Sequence, residues 1–192
     1  MILCGMDEVG RGALAGPLVA AGVILNPKSK ILGSKLKDSK KLSPKNRQKL
    51  YKKIKYSGAI IAVEEISVNL INKYGIGWAN KEVFKRLARK IPADKCIADG
   101  NLKLGKKIKS IIKADGKIPE VMAASIIAKV WRDRQMTQLH NEYPDYGWQS
   151  NKGYGTKYHI AALREHGMTK YHRRLFVETA IKNSKSKILS SK

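Results

Sequence analysis

Two acids stand side by side in the stretch MDEVGRGA, Met6 to Ala13: Asp7 and Glu8, followed after Val9 by Gly10, Arg11 and Gly12. In a chain with 39 Lys+Arg against 15 Asp+Glu, a formal charge of +24, negative charge is scarce. Two further aspartates sit where an apolar run gives way to a glycine, Asp99 in KCIADG and Asp115 in KADG. Brought together, these four carboxylates would repel one another and raise their own pKa values, and divalent cations would remove that repulsion. Oxygen-only ligands, with no His or Cys, select hard ions such as Mg²⁺ or Mn²⁺, held partly by water and substrate phosphate. Two such ions about 4 Å apart activate an attacking water and stabilise the leaving oxygen of an in-line displacement. A carboxylate cluster inside a cationic protein therefore points to hydrolysis of a phosphodiester. Taken singly, each aspartate reads equally well as a turn former or a helix cap. The adjacent pair Asp7 and Glu8 gains nothing of that kind from being paired.

The charge excess attracts a polyanion, and nucleic acids are the abundant soluble ones. Basicity alone suits a ribosomal or other non-catalytic nucleic-acid-binding protein as well as an enzyme, since charge indicates a class of partner and not an activity. Cys4 and Cys96 form no CxxC pair, lie in apolar surroundings and read as small buried hydrophobes in a reducing compartment. Neither MILCGM nor LVAAGVIL has the make-up of a signal peptide or the length of a membrane span. A soluble cytoplasmic protein without a membrane partner is expected.

The elements that must position the acids follow from pattern and punctuation. Residues 1–7 and 17–26 are short apolar runs joined by a glycine-rich link, which predicts a hairpin closed by Asp7 and Glu8. Ser43 and Pro44 in LSPKNRQKLYKKIKY predict an N-cap and a first helical residue. Residues 58–66 predict a third strand, 77–91 a helix, 95–100 a fourth strand and 107–116 a fifth strand running into a turn. From Pro119 to about His140 the pattern is helical, and loops and helices follow. With 192 residues, 43 % of them hydrophobic, the order predicts one α/β domain: a mixed five-stranded sheet flanked by helices, with a C-terminal helical extension. The expected division is a catalytic domain over 1–140, a substrate-binding extension over 141–183, and a disordered Ser/Lys-rich tail over 184–192.

At this point the residues resemble a known family. MDEVGRGALAGPLVAAGVIL, DSKKLSPKNRQKLY, IADGN, KADGKIPEVMAASIIAKVWRDR and NKGYGTKYHIAALREHGMTKYHRRLF, spanning residues 1 to about 176, are similar to ribonuclease HII, the type 2 ribonuclease H family of bacteria. The resemblance implies a ribonuclease H-like fold and an endonuclease that cuts the RNA strand of RNA–DNA hybrids. It also implies incision 5′ to single ribonucleotides in duplex DNA, leaving 3′-hydroxyl and 5′-phosphate ends. The metal ligands it implies are Asp7, Glu8, Asp99 and Asp115, holding Mg²⁺ or Mn²⁺, two ions with substrate bound. Asp133 in WRDR competes with Asp115 for the fourth place. The two flank one predicted helix, whose fourteen residues from Pro119 to Asp133 span about 21 Å, so only one end can reach the ions, and the family pattern selects Asp115. Asp133, between Arg132 and Arg134, then reads as part of a charged helix face or an ion pair.

A nuclease that ignores base sequence must still tell RNA from DNA, and the 2′-hydroxyl is the available difference. Glycines let main-chain groups approach the minor groove closely. By resemblance, Gly10, Arg11 and Gly12 act there with Tyr154 of KGYGTK, whose ring would stack on the next deoxyribose while its hydroxyl meets the 2′-OH. Lys40 of DSKKL is expected to contact phosphate, with Asp38 positioning that loop, and Trp131 and Trp148 to pack in core or loops. The expected partners are RNA–DNA hybrids and ribonucleotide-containing DNA duplexes, bound by a monomer. Two departures stand out: IGWANKEVFKRLARK differs from the family's alanine-rich wording, and Met6 is bulkier than the usual residue before the acid pair. The sister ribonuclease HIII family carries a substrate-binding domain ahead of its first acid motif, whereas here the pair begins at residue 7.

Overall fold

The computed structural model describes residues 1–28 and 43–189, with side chains as far as residue 183. The DSKKL segment, with Asp38 and Lys40, lies outside the described residues. Five strands form one mixed sheet in the order β3-β2-β1-β4-β5. They are β1 (Leu3–Val9), β2 (Leu18–Ile24), β3 (Ile60–Ile66), β4 (Lys95–Asp99) and β5 (Ile108–Ile111). The first three pair antiparallel, β1 with β2 as the hairpin pattern predicts, while β4 runs parallel to β1 and β5 parallel to β4. Strand β1 runs further than residue 7. Asp7 and Glu8 are paired across from Ala21 and Ala20 and Val9 from Val19, so the acids stand inside the strand's last turns of pleat and not beyond its end.

Period-two alternation sends Cys4 and Met6 to one face of β1, where they meet Val83, Phe84 and Leu87 of α2 (Val68–Lys90). The other face packs on α1 (Pro44–Lys55) and α3 (Pro119–Glu142), with Val23 against Ile54, Met122 and Ile126. Ser43 caps α1 as expected, accepting a hydrogen bond from the Asn46 N–H at 3.3 Å. Helix α2 starts nine positions before the predicted 77, because Ser67 caps it through the Leu70 N–H at 3.4 Å. A break at Gly75, φ 80°, separates this first stretch from the amphipathic one that the apolar spacing revealed.

Helix α3 approaches β1 more closely than any side chain would allow. A Cβ on Gly5 would sit inside contact distance of the backbone C of Glu120 and N of Val121, and backbone cannot rotate away. Gly5→Ala is therefore expected to destabilise the fold by about 3 kcal/mol, measurable as a lowered urea midpoint with an unchanged slope; a midpoint equal to wild type would contradict this packing.

Beyond α3 come α4 (Trp148–Asn151), α5 (Lys157–His166) and α6 (Arg174–Leu189). Helix α6 carries helical backbone past residue 183 into the segment expected to be disordered, and residues 190–192 lie outside the described ones. Three turns of helix already templated from Arg174 let Ser and Lys continue it, although their composition alone favours no structure. These helices build a third core in which Leu14 and Ala15 of the 10–17 link join Met136, Tyr146, Trp148 and Leu163. Trp148 is core, as anticipated; Trp131 is partly exposed and its indole N–H donates to Glu65 at 2.5 Å. Among the described residues no helix is long and apolar enough to cross a membrane.

Candidate active site

The parallel pairing of β1 and β4 aligns Met6 with Ala98, so the next residue on each, Asp7 and Asp99, ends side by side at the same edge of the sheet. Asp7 is buried; its Oδ1 accepts from the Glu8 N–H at 2.8 Å, and its carboxyl also bonds Ser125 of α3. Burial, then the charges of Glu8 and Asp99, push its pKa up to about 8 against the opposing pull of Ser125. Glu8, the next residue along the pleat, projects from the other face toward α2, where Asn80 bonds it. Burial and Asp99 raise it too, while the guanidinium of Arg11 pulls the other way. Oδ1 of Asp99 accepts from the Ala114 N–H at 2.7 Å, which ties the end of β4 to the single helical turn Ala114–Gly116 that carries buried Asp115.

The structure thus brings Asp7, Glu8 and Asp99 into mutual electrostatic range and sets Asp115 on the turn bonded to Asp99. Among the described residues no three His, Cys, Asp or Glu side chains are already closed into a coordination set. The donor chemistry nevertheless fits a hard divalent ion: all oxygen and partly buried, with Asp7 and Glu8 destabilised as anions by burial and by neighbouring carboxylates. Asp133, in contrast, pairs with Lys129 at 2.7 Å on the flank of α3, as its sequence context suggests.

The 10–17 link runs from this edge into the C-terminal helices and is clamped there by two arginines that sequence reasoning missed. Arg132 and Arg173 are fully buried, and among the described residues no carboxylate is bonded to either. Arg132 donates to the carbonyls of Ala15, Pro17 and Lys152 at 2.8–3.0 Å. Arg173 donates twice to Gly16 and once, at 3.0 Å, to the carbonyl of Arg11. Burial and the charge of Arg132 pull Arg173 down to about 9, which leaves it cationic at neutral pH. The signal for Arg132 lay in its spacing: Ala128, Arg132 and Met136 share the buried face of α3 at intervals of four, although the neighbours Asp133 and Arg134 make the stretch look solvated.

The same clamp reaches Tyr154. Leu14 and Ala15 N–H groups donate to the Gly153 carbonyl at 2.8 and 3.2 Å, and the Arg132 guanidinium lies 5.6 Å from the centre of the Tyr154 ring. Gly10 needs its lack of a side chain twice over: its φ is +88°, and a Cβ there would run into the Arg132 side chain. Gly12 has neither constraint; it is exposed with Arg11 at the tip of the link. Acid pair and Tyr154 loop are therefore tied to each other through the glycine link.

Residues 4–179 match the family model of ribonuclease HII. The chain belongs to the ribonuclease HII family. It is accordingly an enzyme, a metal-dependent nuclease of the ribonuclease H type, and the non-catalytic binding reading falls away. It is 45 % identical over 184 residues to ribonuclease HII of Wolbachia pipientis subsp. Culex pipiens (strain wPip), covering 94 % of this chain and 92 % of that one. Ribonuclease HII of Pelagibacter ubique (strain HTCC1062) is 47 % identical over 181 residues, 91 % of this chain and 95 % of its own. Among solved structures, ribonuclease HII of Archaeoglobus fulgidus, determined in complex with PCNA, superposes with a TM-score of 0.80 at 27 % identity, covering 90 % of this chain and 94 % of that one. The mixed sheet and helical C-terminal region are those of this family.

Proposed function

We propose that this member of the ribonuclease HII family hydrolyses the RNA strand of RNA–DNA hybrids and incises 5′ to single ribonucleotides embedded in duplex DNA. The products are 3′-hydroxyl and 5′-phosphate ends. The observation that carries the reading is the buried Asp7 beside Glu8 and Asp99, three positions before a glycine link that is clamped against the Tyr154 loop.

Asp7, Glu8, Asp99 and Asp115 are the residues that would hold Mg²⁺ or Mn²⁺, two ions with substrate bound. Such ions acidify a water, neutralise the scissile phosphate and stabilise the leaving oxygen. Ser125, Asn80 and the Ala114 N–H orient three of those carboxylates from the protein side, which limits the reorganisation needed when an ion arrives. Gly10, Arg11 and Gly12 meet the ribose: the Arg11 carbonyl is drawn inward by Arg173, leaving the exposed tip to face the minor groove and its 2′-hydroxyl. Tyr154, a third exposed, is available to stack on the following sugar. Lys40 is assigned a phosphate contact on its place in the DSKKL motif. The charge of +24 supplies sequence-independent affinity, so binding falls steeply with salt. The enzyme acts as a cytoplasmic monomer.

A labelled DNA duplex holding one ribonucleotide tests the reading. Incision at a single site on the 5′ side, present with Mg²⁺ or Mn²⁺ and absent with chelator, is expected. Cutting scattered along single-stranded RNA, or cutting that ignores the ribonucleotide, would refute it.

A further inference from the structure

Behind Tyr154 lie three buried side chains that neither the carboxylates nor the arginine clamp use: Trp148, His159 and His172. Their hydrogen positions follow from two donors that cannot act otherwise. The Thr169 N–H donates to Nδ1 of His172 at 2.9 Å, so that nitrogen bears no proton and neutral His172 carries its proton on Nε2. The Nε2 proton faces Nε2 of His159 at 3.1 Å, sharing that nitrogen's one lone pair with the indole N–H of Trp148 at 3.1 Å. An indole nitrogen only donates, so Nε2 of His159 is an acceptor and its proton resides on Nδ1. Nδ1 lies 3.0 Å from the carbonyl oxygen of Tyr154. Burial lowers the pKa of His159, and burial with the nearby His159 takes His172 down to about 4, so both rings are neutral at pH 7, as this arrangement requires.

The direction of the network matters. A histidine tautomer is free to switch when both nitrogens face ambiguous partners, but here Thr169 at one end and Trp148 at the other leave one solution, and it aims an N–H at Tyr154. The preceding residue is held independently, since the Gly153 carbonyl accepts from Leu14 and Ala15. The backbone of Tyr154 is thus pinned on both sides while its ring stays partly exposed beside Arg132. Tyr146 packs over the network, stacked on Trp148 with ring centres 5.2 Å apart, and keeps water from competing for it.

We propose that His159 is a positioning residue for ribose discrimination: its Nδ1–H, oriented through His172 and Trp148, fixes the backbone of Tyr154 and so the placement of the tyrosine hydroxyl. This rests on the ribose-reading role given to Tyr154 above and adds a side-chain donor that, with the Thr156 N–H at 2.9 Å, holds the same carbonyl.

The experiment compares His159→Leu, His159→Asn, Tyr154→Phe and the double variant His159→Leu/Tyr154→Phe. Each is assayed well below its melting temperature on two duplexes, one holding a single ribonucleotide and one holding a 2′-fluoro analogue at the same place. Leucine removes the donor; asparagine places an amide N–H near the position of Nδ1. His159→Leu is expected to lose roughly tenfold in kcat on the ribonucleotide duplex with little change in KM, and to narrow the preference over the fluoro duplex. His159→Asn should recover most of both, and His159→Leu should cause no further loss of preference in the Tyr154→Phe background. A His159→Leu variant that melts lower but keeps its kcat and its preference overturns the proposal, and so does full additivity with Tyr154→Phe. If Tyr154→Phe by itself leaves the preference intact while wild type still incises at the ribonucleotide, the role of Tyr154 fails and the proposal fails with it.

Discussion

Asp7→Asn is expected to lower kcat/KM by at least about 10³-fold while raising the melting temperature of the metal-free protein. The two effects have one cause. The carboxyl of Asp7 is buried beside Glu8 and Asp99, and its pKa stands at about 8 against 3.8 for the free group. A folded-state value above the unfolded one means that the carboxyl costs nothing below about pH 4, and that its ionisation opposes folding increasingly as pH rises to about 8. At pH 7 that opposition is at most about 4 kcal/mol. Asparagine keeps an oxygen for the Glu8 N–H and a partner for Ser125 but has no charge to bury. In chelator the variant should therefore melt roughly 5–10 °C above wild type at pH 8, with the gap closing toward pH 5. Added Mg²⁺ or Mn²⁺ should raise the wild type and leave the variant unmoved, since binding to the native state alone is what stabilises. Loss of the ion's charge stabilisation, worth several kcal/mol in the transition state, accounts for the activity. Hybrid binding, carried by lysines and arginines elsewhere, should be retained. Thermal melts at both pH values and a single-turnover assay check the prediction; equal melting in chelator, or an active asparagine variant, would contradict it.

The second large effect is expected at Arg132. Arg132→Met preserves the length of the buried stem but strips donors from the carbonyls of Ala15, Pro17 and Lys152. Buried acceptors left without partners lose about 1–3 kcal/mol each before relaxation. A loss of about 4 kcal/mol is expected, seen as a melting temperature lower by roughly 10 °C. Arg132→Lys should recover less than half, because a single ammonium cannot span three acceptors set around a planar fork. Two residues on, Arg134 lies over the Tyr51 ring at 4.7 Å, and Arg134→Met should change stability by no more than about 1 kcal/mol. The contrast between neighbours in WRDR measures burial, since their chemistry is the same. Activity should fall with Arg132→Met as well: the link that carries Gly10, Arg11 and Gly12 loses the anchors that turn its carbonyls inward.

Much of the site could be read in order along the chain. The acid pair, the glycine link, the aspartates after short apolar runs and the proline opening α3 are local signals, each a matter of a few residues. So were the Ser43 cap and the antiparallel hairpin. The helix at 68–74 was not, because Gly75 interrupts the apolar spacing before a second turn can establish it. Arg132 went unread for a related reason: charged neighbours at 133 and 134 outweigh a four-residue periodicity that only burial makes visible.

Composition and spacing by themselves determined that scarce carboxylates in a cationic chain stand at strand ends, next to a link able to take φ above zero, and that the elements alternate as a mixed sheet requires. Only the tertiary structure decided that Asp7 and Asp99 are neighbours through a parallel pairing of strands, that two buried arginines rivet the link through its carbonyls, and that a histidine aims its proton at Tyr154. The reason is separation along the chain. Arg132 reaches Ala15 across 117 residues and Arg173 reaches Arg11 across 162. Contacts of that span are fixed by how the whole core closes, and a buried cation satisfied by carbonyls has no signature in the side chains around it, because every residue offers a carbonyl.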